Sequence, residues 1–214
     1  VLACYNNIIP SLCPQLPEGQ KTALQQCSRR PLMVVNVALR NGRALQKSGI
    51  SGAYLPGRLC QGVNLVTGIN VADYRPEWRP EDPCIVQFYG AVGAPQPEGL
   101  TISQQHQAGR ALLLGMSFED HEREVRTVMN GIWGPSGFDP ATDILAITVN
   151  RWPHGYARDH LDLEDPAWNA DPPPNVVGRQ TFGHIAIANS DAGADAYTHT
   201  AFDQAWRAVS DLPA

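Results

Sequence analysis

Eight consecutive residues, Leu32–Leu39, form the strongest strand signal in the chain. The run is rich in β-branched and aliphatic residues and lies between Pro31 and the turn pair Asn41-Gly42. A strand of this length needs partners. Further β-rich runs follow around residue 54, over 63–69 and over 84–89. Gly- and Pro-containing turns separate these runs, which predicts an antiparallel sheet.

Helical patterns surround the predicted sheet. Ser117, followed by acidic residues, has the composition of a helix N-cap, and the helix that it starts should run to about Met129. The other predicted helices are Glu18–Cys27 after Pro17, Ala44–Gly49, one from Ser103 and Thr200–Leu212. The other predicted strands are Val1–Tyr5, Asp143–Val149 and Ile185–Ala188. These patterns predict an α/β, or mixed α+β, fold.

Glycine and proline limit the length of the elements. The 214 residues include 19 Gly and 18 Pro, which interrupt regular structure, while 43% hydrophobic residues suffice for a buried core. The stretch 157–177 is acidic and Pro-rich, and Pro172, Pro173 and Pro174 should exclude regular structure there. We therefore expect short elements joined by long connections.

Charge and hydropathy argue against two classes of partner. The net charge is −5, and no basic cluster exists beyond the pair Arg29-Arg30, so a nucleic-acid surface is not expected. No apolar run approaches the roughly 20 residues of a membrane-spanning helix. The five cysteines are odd in number and lack a Cys-x-x-Cys pair, so we expect no zinc site and mostly buried thiols.

The start of the chain predicts that the sequence is part of something longer. Val1–Tyr5 has the pattern of a buried strand without an initiator Met or a charged leader. We therefore expect the carboxyl-terminal piece of a longer protein. The compartment stays open between bacterial cytoplasm and periplasm.

Several polar clusters carry weaker signals. Asp120-His121-Glu122 lies on an amphipathic helix, where adjacent side chains diverge, so we expect a solvated face and not a metal site. The acidic run over 159–165 could collect a cation, although it lacks the spacing of a calcium loop. A Gly-x-Ser-x-Gly nucleophile motif is absent from the sequence.

The last third of the chain has the order strand, small-residue loop, helix. Gly193 and the neighbouring alanines would let backbone N–H groups approach a ligand, and the helix N-terminus that follows offers unpaired donors. Small loops before helices also occur for packing reasons alone. The pattern leaves both explanations open.

Four motifs together resemble a known family. They are Cys13–Pro17, Asn36–Arg40, Ile147–Tyr156 and Ile187–Ala194. They are similar to the carboxyl-terminal part of spermidine dehydrogenase-like proteins, within the wider monoamine and polyamine oxidase family of flavoproteins. That family carries an amino-terminal Gly-x-Gly-x-x-Gly fingerprint, which this sequence lacks, and Gly131–Gly137 does not have its spacing.

The resemblance implies a division of the chain. Residues 1–30 would be the end of an FAD-domain strand and a linker helix, and residues 31–156 a substrate domain with a mixed, largely antiparallel sheet backed by helices. Residues 157–214 would be an acidic Pro-rich loop followed by the FAD domain's carboxyl-terminal strand, loop and helix. The amino-terminal FAD-binding half would come from the same gene or from a separate subunit.

The resemblance also implies site residues. The candidates for an aromatic substrate cage are Tyr156, Trp152, His154 and Tyr197. The candidates for contact with FAD are Ser190, Asp191, Ala192, Gly193, Thr198 and His199. Ring faces attract ammonium groups, which suits a polyamine-like substrate. The alternative is that Trp152 and Tyr156 only cover a sheet edge.

Two functional hypotheses follow. The first is the carboxyl-terminal portion of an FAD-dependent amine oxidase or dehydrogenase, which transfers a hydride equivalent from a small polyamine-like amine to flavin N5. The isolated chain would then be inactive, and its electron acceptor stays unknown. The second is a non-catalytic binding or scaffold domain that retains the fold without the flavin chemistry.

Overall fold

The chain divides into two compact units. The structure, a computed structural model, describes residues 1–67, 71–73, 77–92, 99–159, 166–169 and 171–213. The first unit comprises Val1–Arg30, Pro95–Ala108 and His154–Ala214, and the second unit comprises Pro31–Ala94 and Gly109–Pro153. Each unit is described by itself below.

The elements follow one another in short pieces, as the Gly and Pro content predicts. The α-helices are α1 (Ile9–Leu12), α2 (Glu18–Gln25), α3 (Arg43–Ser48), α4 (Ile102–Gly115), α5 (Phe118–Trp133), α6 (Pro174–Gly178), α7 (Ser190–Gly193) and α8 (Thr198–Ser210). The strands are β1 (Leu32–Leu39), β2 (Gly52–Tyr54), β3 (Gly62–Leu65), β4 (Cys84–Ala91) and β5 (Ile144–Trp152). Single 3₁₀ turns occupy Asn6–Ile8, Gly134–Ser136 and Pro166–Asn169.

The second unit is built on an antiparallel sheet with the strand order β2-β3-β4-β1-β5. The central strand β1 pairs with β4 and β5, so that Val35 lies opposite Phe88 on one side and Val149 on the other. Side chains of β1 alternate between buried and half-buried positions, because neighbouring residues of a strand point to opposite faces. The mixed α/β fold with an antiparallel sheet and helices is thus confirmed.

One face of the sheet packs against helices to form the core of the second unit. The buried members of this cluster are Met33, Val35, Val37, Leu39, Leu45, Cys60, Val63, Leu65, Cys84, Val86, Phe88, Val92, Leu113, Val125, Val128, Met129, Trp133 and Phe138. The other face carries a polar row, in which Gln87 Nε2 donates to Asn36 Oδ1 at 3.0 Å and Asn36 Nδ2 donates to Thr148 Oγ1 at 3.5 Å.

Helix α5 begins at the predicted N-cap and ends later than predicted. Ser117 and Asp120 form a reciprocal capping box, which fixes the first turn. The helix continues beyond Met129 because Trp133 is completely buried and donates its indole Nε1 to the carbonyl of Ile50 at 2.9 Å. Burial of one large aromatic side chain outweighs the modest helix penalty of Gly131.

The predicted solvated face over residues 120–122 is wrong for its central residue. His121 is 2% exposed, whereas Asp120 and Glu122 keep intermediate exposure. The imidazole points to the sheet side of an amphipathic helix, in the same direction as Val125 and Val128. Four of the five thiols are buried, as expected, and all five are free.

The first unit contains small apolar clusters and less regular backbone than predicted. Ile9, Leu24 and Ile187 form one cluster with their neighbours, and Ala186, Ala188 and Ala208 form another. The predicted strands 1–5 and 185–188 are reduced to isolated bridges, a parallel one from Leu2 to Ile187 and an antiparallel one from Phe182 to Ile185. Among the described residues neither segment joins the sheet, so the two bridges do not extend into a ladder.

The proline run at 172–174 does not exclude regular structure. Pro174 is the first residue of α6, where its missing N–H removes no hydrogen bond and its fixed φ favours the helix. Much of the predicted acidic loop, over 160–165, lies outside the described residues, as do parts of the segments predicted over 63–69 and 74–83.

Candidate functional site

Arg29 links two motifs of the first unit that are more than 30 residues apart in sequence. Its Nη1 donates to the carbonyl of Gly155 at 3.0 Å, and its Nη2 donates to Ser190 Oγ at 3.2 Å. Its Nε lies 2.9 Å from Oδ1 and 3.2 Å from Oδ2 of Asp191. One guanidinium group therefore holds the aromatic turn after β5 and the small-residue segment before α8.

Aromatic rings cover the same guanidinium group. The Arg29 Cζ atom lies 4.4 Å from the centroid of the Tyr5 ring, a cation–π distance, and the Tyr5 ring in turn contacts His154 at 5.6 Å between centroids. The turn is also tied at its backbone, because the N–H of Gly155 donates to the carbonyl of Arg30 at 2.9 Å. His154 is thus a packed ring, half-buried against Tyr5.

The carboxylate of Asp191 is engaged within the unit. Its Oδ2 accepts the backbone N–H of Asn6 at 3.0 Å in addition to the contact with Arg29. Burial raises the pKa of Asp191, and Arg29 and the Asn6 N–H oppose that rise only in part. Asp191 therefore braces the loop that carries it and presents no free carboxylate oxygen to solvent.

Asn189 adopts a backbone conformation that side-chain-bearing residues rarely occupy. Its φ is 151° and its ψ is 177°, a region populated almost only by glycine, which costs about 1–3 kcal/mol. Three contacts hold it there. Nδ2 donates to the carbonyl of Cys4 at 2.6 Å and to Asn6 Oδ1 at 3.0 Å, and Oδ1 accepts the N–H of Ala192 at 3.1 Å.

The segment predicted as a small-residue loop is the helical turn α7, and its glycine has a packing reason. A Cβ on Gly193 would lie 2.2 Å from Cγ2 of Thr200 on α8. Ala192 is completely buried. The close approach of α7 and α8 accounts for Gly193, and this is the packing explanation that the sequence left open.

The N-terminus of α8 is exposed and lacks a side-chain cap. Tyr197 at the N-cap makes no capping hydrogen bond, and the first turn contains no acidic residue. The rings of Tyr197 and His199 stack at 5.6 Å, and both are exposed together with Thr198. Uncapped N–H groups at the positive end of a 13-residue helix can donate hydrogen bonds to an electron-rich oxygen.

The structure brings only some of the predicted site residues together. Gly155, Ser190 and Asp191 contact Arg29, His154 is linked to it through the Tyr5 ring, and α7 packs on α8. Tyr156 and Tyr197 are 50% and 65% exposed, and one face of the Tyr197 ring is stacked on His199. Trp152, the last residue of β5, is 50% exposed and belongs to the second unit.

Sequence reasoning missed Arg29, Tyr5 and Asn189. Arg29 stood out only as half of a basic pair, and no local pattern distinguishes it from the exposed Arg30. Their roles depend on contacts across more than 100 residues, which single-sequence patterns do not carry.

Among the residues that the structure describes, no group of three or more His, Cys, Asp or Glu side chains could hold a metal ion. No helix within the same ranges is both long and apolar enough to span a bilayer.

Comparison with known proteins identifies the fold. No protein-family model and no curated protein matches the sequence. Solved structures of putrescine oxidase are similar: the wild type bound to putrescine at 15% identity with a TM-score of 0.61, a double mutant at 15% and 0.62, and a triple mutant at 17% and 0.63. At these identities the likeness shows the fold.

The matched region is a part of the putrescine oxidase chain. Each match covers 98% of this chain but 41% of the putrescine oxidase chain, so this chain spans less than half the length of those proteins. The chain has the mixed α/β fold, with its antiparallel sheet and helices, of that part of an amine oxidase.

Proposed function

We propose that this chain is the carboxyl-terminal portion of an FAD-dependent amine oxidase or dehydrogenase of the spermidine dehydrogenase-like kind. The observation that carries the proposal is the set of contacts that Arg29 makes with Gly155, Ser190 and Asp191. In a chain with the fold of putrescine oxidase, one side chain joins the turn at 154–156 to the segment at 190–193. The family resemblance assigns those two motifs to the substrate and to the flavin.

The residues of the first unit fit a flavin in part. The uncapped N-terminus of α8, at Thr198 and His199, suits an electron-rich flavin oxygen and would stabilise an anionic reduced ring. Ser190 lies beside the Arg29 guanidinium, a fixed positive charge. Asp191, Ala192 and Gly193 are occupied by internal contacts, so we assign them the role of holding the loop in place. When bound, FAD would supply the acceptor for a hydride equivalent from the carbon next to the amine.

The substrate side would consist of exposed aromatic rings. Tyr156 and Tyr197 are exposed aromatic residues, and a free ring face attracts an ammonium group by about 0.5–2 kcal/mol, depending on desolvation. His154 packs on Tyr5 and would orient the turn. Trp152 belongs to the second unit, and its role in the cage remains a prediction of the family resemblance. Desolvation among these rings would favour the neutral, reactive form of the amine.

The first test is the visible absorption spectrum of natively purified material together with its intact mass. We expect flavin bands and additional polypeptide that supplies the amino-terminal half. Colourless material of this mass alone, which gains no flavin when that half is supplied, would overturn the proposal and favour the non-catalytic domain.

The second test separates the cage from the flavin. In the flavin-containing protein, Tyr156→Ala should lower turnover of putrescine or spermidine and leave the flavin absorbance per protein unchanged. The matched control is Tyr54→Ala on β2, where the tyrosine is also exposed, and it should leave both quantities unchanged. Full turnover by the Tyr156 variant would refute the cage assignment while leaving the flavin assignment standing.

A further inference from the structure

The proposed flavin chemistry does not use a cavity in the second unit. Phe118 and His121 line the cavity from α5, and Val149 and Arg151 line it from β5. Its volume is about 100 Å³. One ordered water needs about 10–15 Å³ of such space, so the cavity can hold a ligand of several non-hydrogen atoms.

His121 is the unusual wall of this cavity. Both ring nitrogens are buried and have no hydrogen-bond partner among the described residues. Buried polar groups in native proteins are almost always satisfied, and an exception calls for a ligand, an ion or a water. A second cavity reaches the same ring, but at about 10 Å³ it has room for one water at most.

Arg151 gives the larger cavity a positive charge. Its side chain lies on the helix-covered face of the sheet, and its Nη1 donates to the carbonyl of Met116 at 3.3 Å. None of the described residues that line the cavity is acidic. Phe118 and Val149 supply apolar wall, so the cavity combines a cation, a neutral donor and acceptor, and an apolar surface.

The charges around His121 favour the neutral ring. Burial lowers the pKa of His121, Arg151 on β5 lowers it further, and Asp120 on the same helix opposes them. The other charged groups near the ring, Arg58 and Glu124, lie at the smaller cavity and pair with each other at 3.5 Å. The Arg151 guanidinium therefore lies beside a neutral ring. None of the described residues that line the cavity supplies an anion to balance its charge.

We propose that this cavity is a binding site for a small carboxylate. Arg151 pairs with the carboxylate oxygens in the forked geometry that guanidinium groups favour, and a ring N–H of His121 donates to one of them. The apolar end of the ligand contacts Phe118 and Val149. This inference is independent of the flavin chemistry.

The probe is acetate, and the readout is the ring ¹⁵N signal of His121 in the purified chain. The sequence has six histidines, and the ring signal that is lost in His121→Gln identifies the signal of His121. Acetate should shift this signal saturably and raise the pKa of His121, because a bound anion favours the protonated ring. Acetamide, which has the same shape without the charge, and chloride at equal ionic strength should do neither. Equal effects of all three probes would overturn the proposal.

A pair of arginine variants tests the site itself. Arg151→Met should weaken acetate binding about tenfold or more, since a charge-assisted hydrogen bond is lost. Arg43→Met on α3 removes the same charge from an exposed position away from the cavity and should leave acetate binding unchanged. Arg151 is also exposed, so its replacement is compatible with folding. Undiminished acetate binding by Arg151→Met would exclude this site.

Discussion

The two units of the chain are stabilised in different ways. The second unit has one continuous apolar core between a sheet and helices, with Trp133 at zero exposure. The first unit has small apolar clusters and a network of buried polar groups around Arg29, Asp191 and Asn6. Eight polar or charged residues are described as buried, and all of them except His121 belong to the first unit.

The second unit depends mainly on apolar burial, which is non-directional, whereas the first unit depends also on hydrogen bonds and ion pairs, which are directional. Apolar burial depends on area and tolerates small shifts, whereas a buried polar network is favourable only while each member keeps its partners. We therefore expect damage to the apolar core of the second unit to be independent of pH. Damage to the polar network of the first unit should depend on the protonation of the Asp191 carboxyl group.

The largest expected effect is that of Trp133→Ala. The substitution removes a completely buried indole and its hydrogen bond to Ile50, and such changes cost about 3–5 kcal/mol of unfolding free energy. Urea denaturation at pH 7 and at pH 4.5 should give the same loss. The matched control is Trp206→Ala on α8, where the indole is 80% exposed, and its change should stay within about 0.5 kcal/mol. A strongly pH-dependent loss at Trp133 would remove the contrast between the units.

Arg29→Met should have a comparable effect at neutral pH. It leaves the buried Asp191 carboxylate without its cation, and breaking a buried pair in this way costs about 3–5 kcal/mol. Hydrogen exchange should report the loss as weaker protection around α7 and the turn at 154–156. The neighbouring Arg30 is exposed, so Arg30→Met serves as the control and should change little.

The cost of Arg29→Met should also fall as the pH falls. Burial already raises the pKa of Asp191 in the folded protein, and loss of Arg29 removes a contribution that lowers it. A carboxyl group whose folded pKa lies above its unfolded value contributes stability that is present below the unfolded pKa and lost as pH rises through the folded pKa. The variant has the higher folded pKa, so its deficit should shrink between pH 7 and pH 4. A constant deficit would mean that the network is insensitive to protonation.

Local patterns predicted most elements of the second unit because its contacts follow periodicity. The alternation in Leu32–Leu39 and the cap at Ser117 are readable from a few neighbouring residues. The predicted exposure of His121 is wrong because the prediction followed the polarity of the side chain and not its position on the buried stripe of α5. Pattern alone does not show that a polar residue occupies an apolar face.

The first unit was harder to predict because its bonds join distant segments. The link from Arg29 to Asp191 spans 162 positions, and neither residue lies in a periodic stretch. The alternating run at 185–188 predicted a strand, but among the described residues its pairing is limited to single bridges with Leu2 and Phe182. Among the candidate site residues, sequence reasoning located the turn at 154–156 and the segment at 190–193. It did not identify the side chain that joins them.

Gly193→Ala should have an intermediate effect. The new Cβ would lie 2.2 Å from Cγ2 of Thr200, so α7 and α8 must separate, and overpacking of this kind costs about 1–3 kcal/mol. Thr200→Ser removes that methyl group and retains the hydroxyl that donates to Asp195 at 2.6 Å. The double variant should therefore recover much of the loss in thermal unfolding.

Gly131→Ala, in α5, has no atom within 4 Å of the added Cβ and should raise the free energy of unfolding by about 0.5–1 kcal/mol.

The smallest expected loss is that of Ser117→Ala, and its pH dependence has the opposite origin to that of Arg29→Met. Ser117→Ala removes the N-cap of α5 and should cost about 1 kcal/mol of unfolding free energy at pH 7. The Ser117 hydroxyl and backbone N–H lower the pKa of Asp120, and a lowered folded pKa contributes stability that is present above the unfolded pKa and lost as pH falls. Part of the Ser117→Ala deficit should therefore disappear in acid.

The deficits of Arg29→Met and Ser117→Ala both shrink in acid, but for opposite reasons. Protonation of Asp120 removes stability from the wild-type protein, whereas protonation of Asp191 adds stability to it. Asp120→Asn and Asp191→Asn should thus change the slope of unfolding free energy against pH in opposite directions, and slopes that change alike would contradict the contrast between an exposed cap and a buried brace.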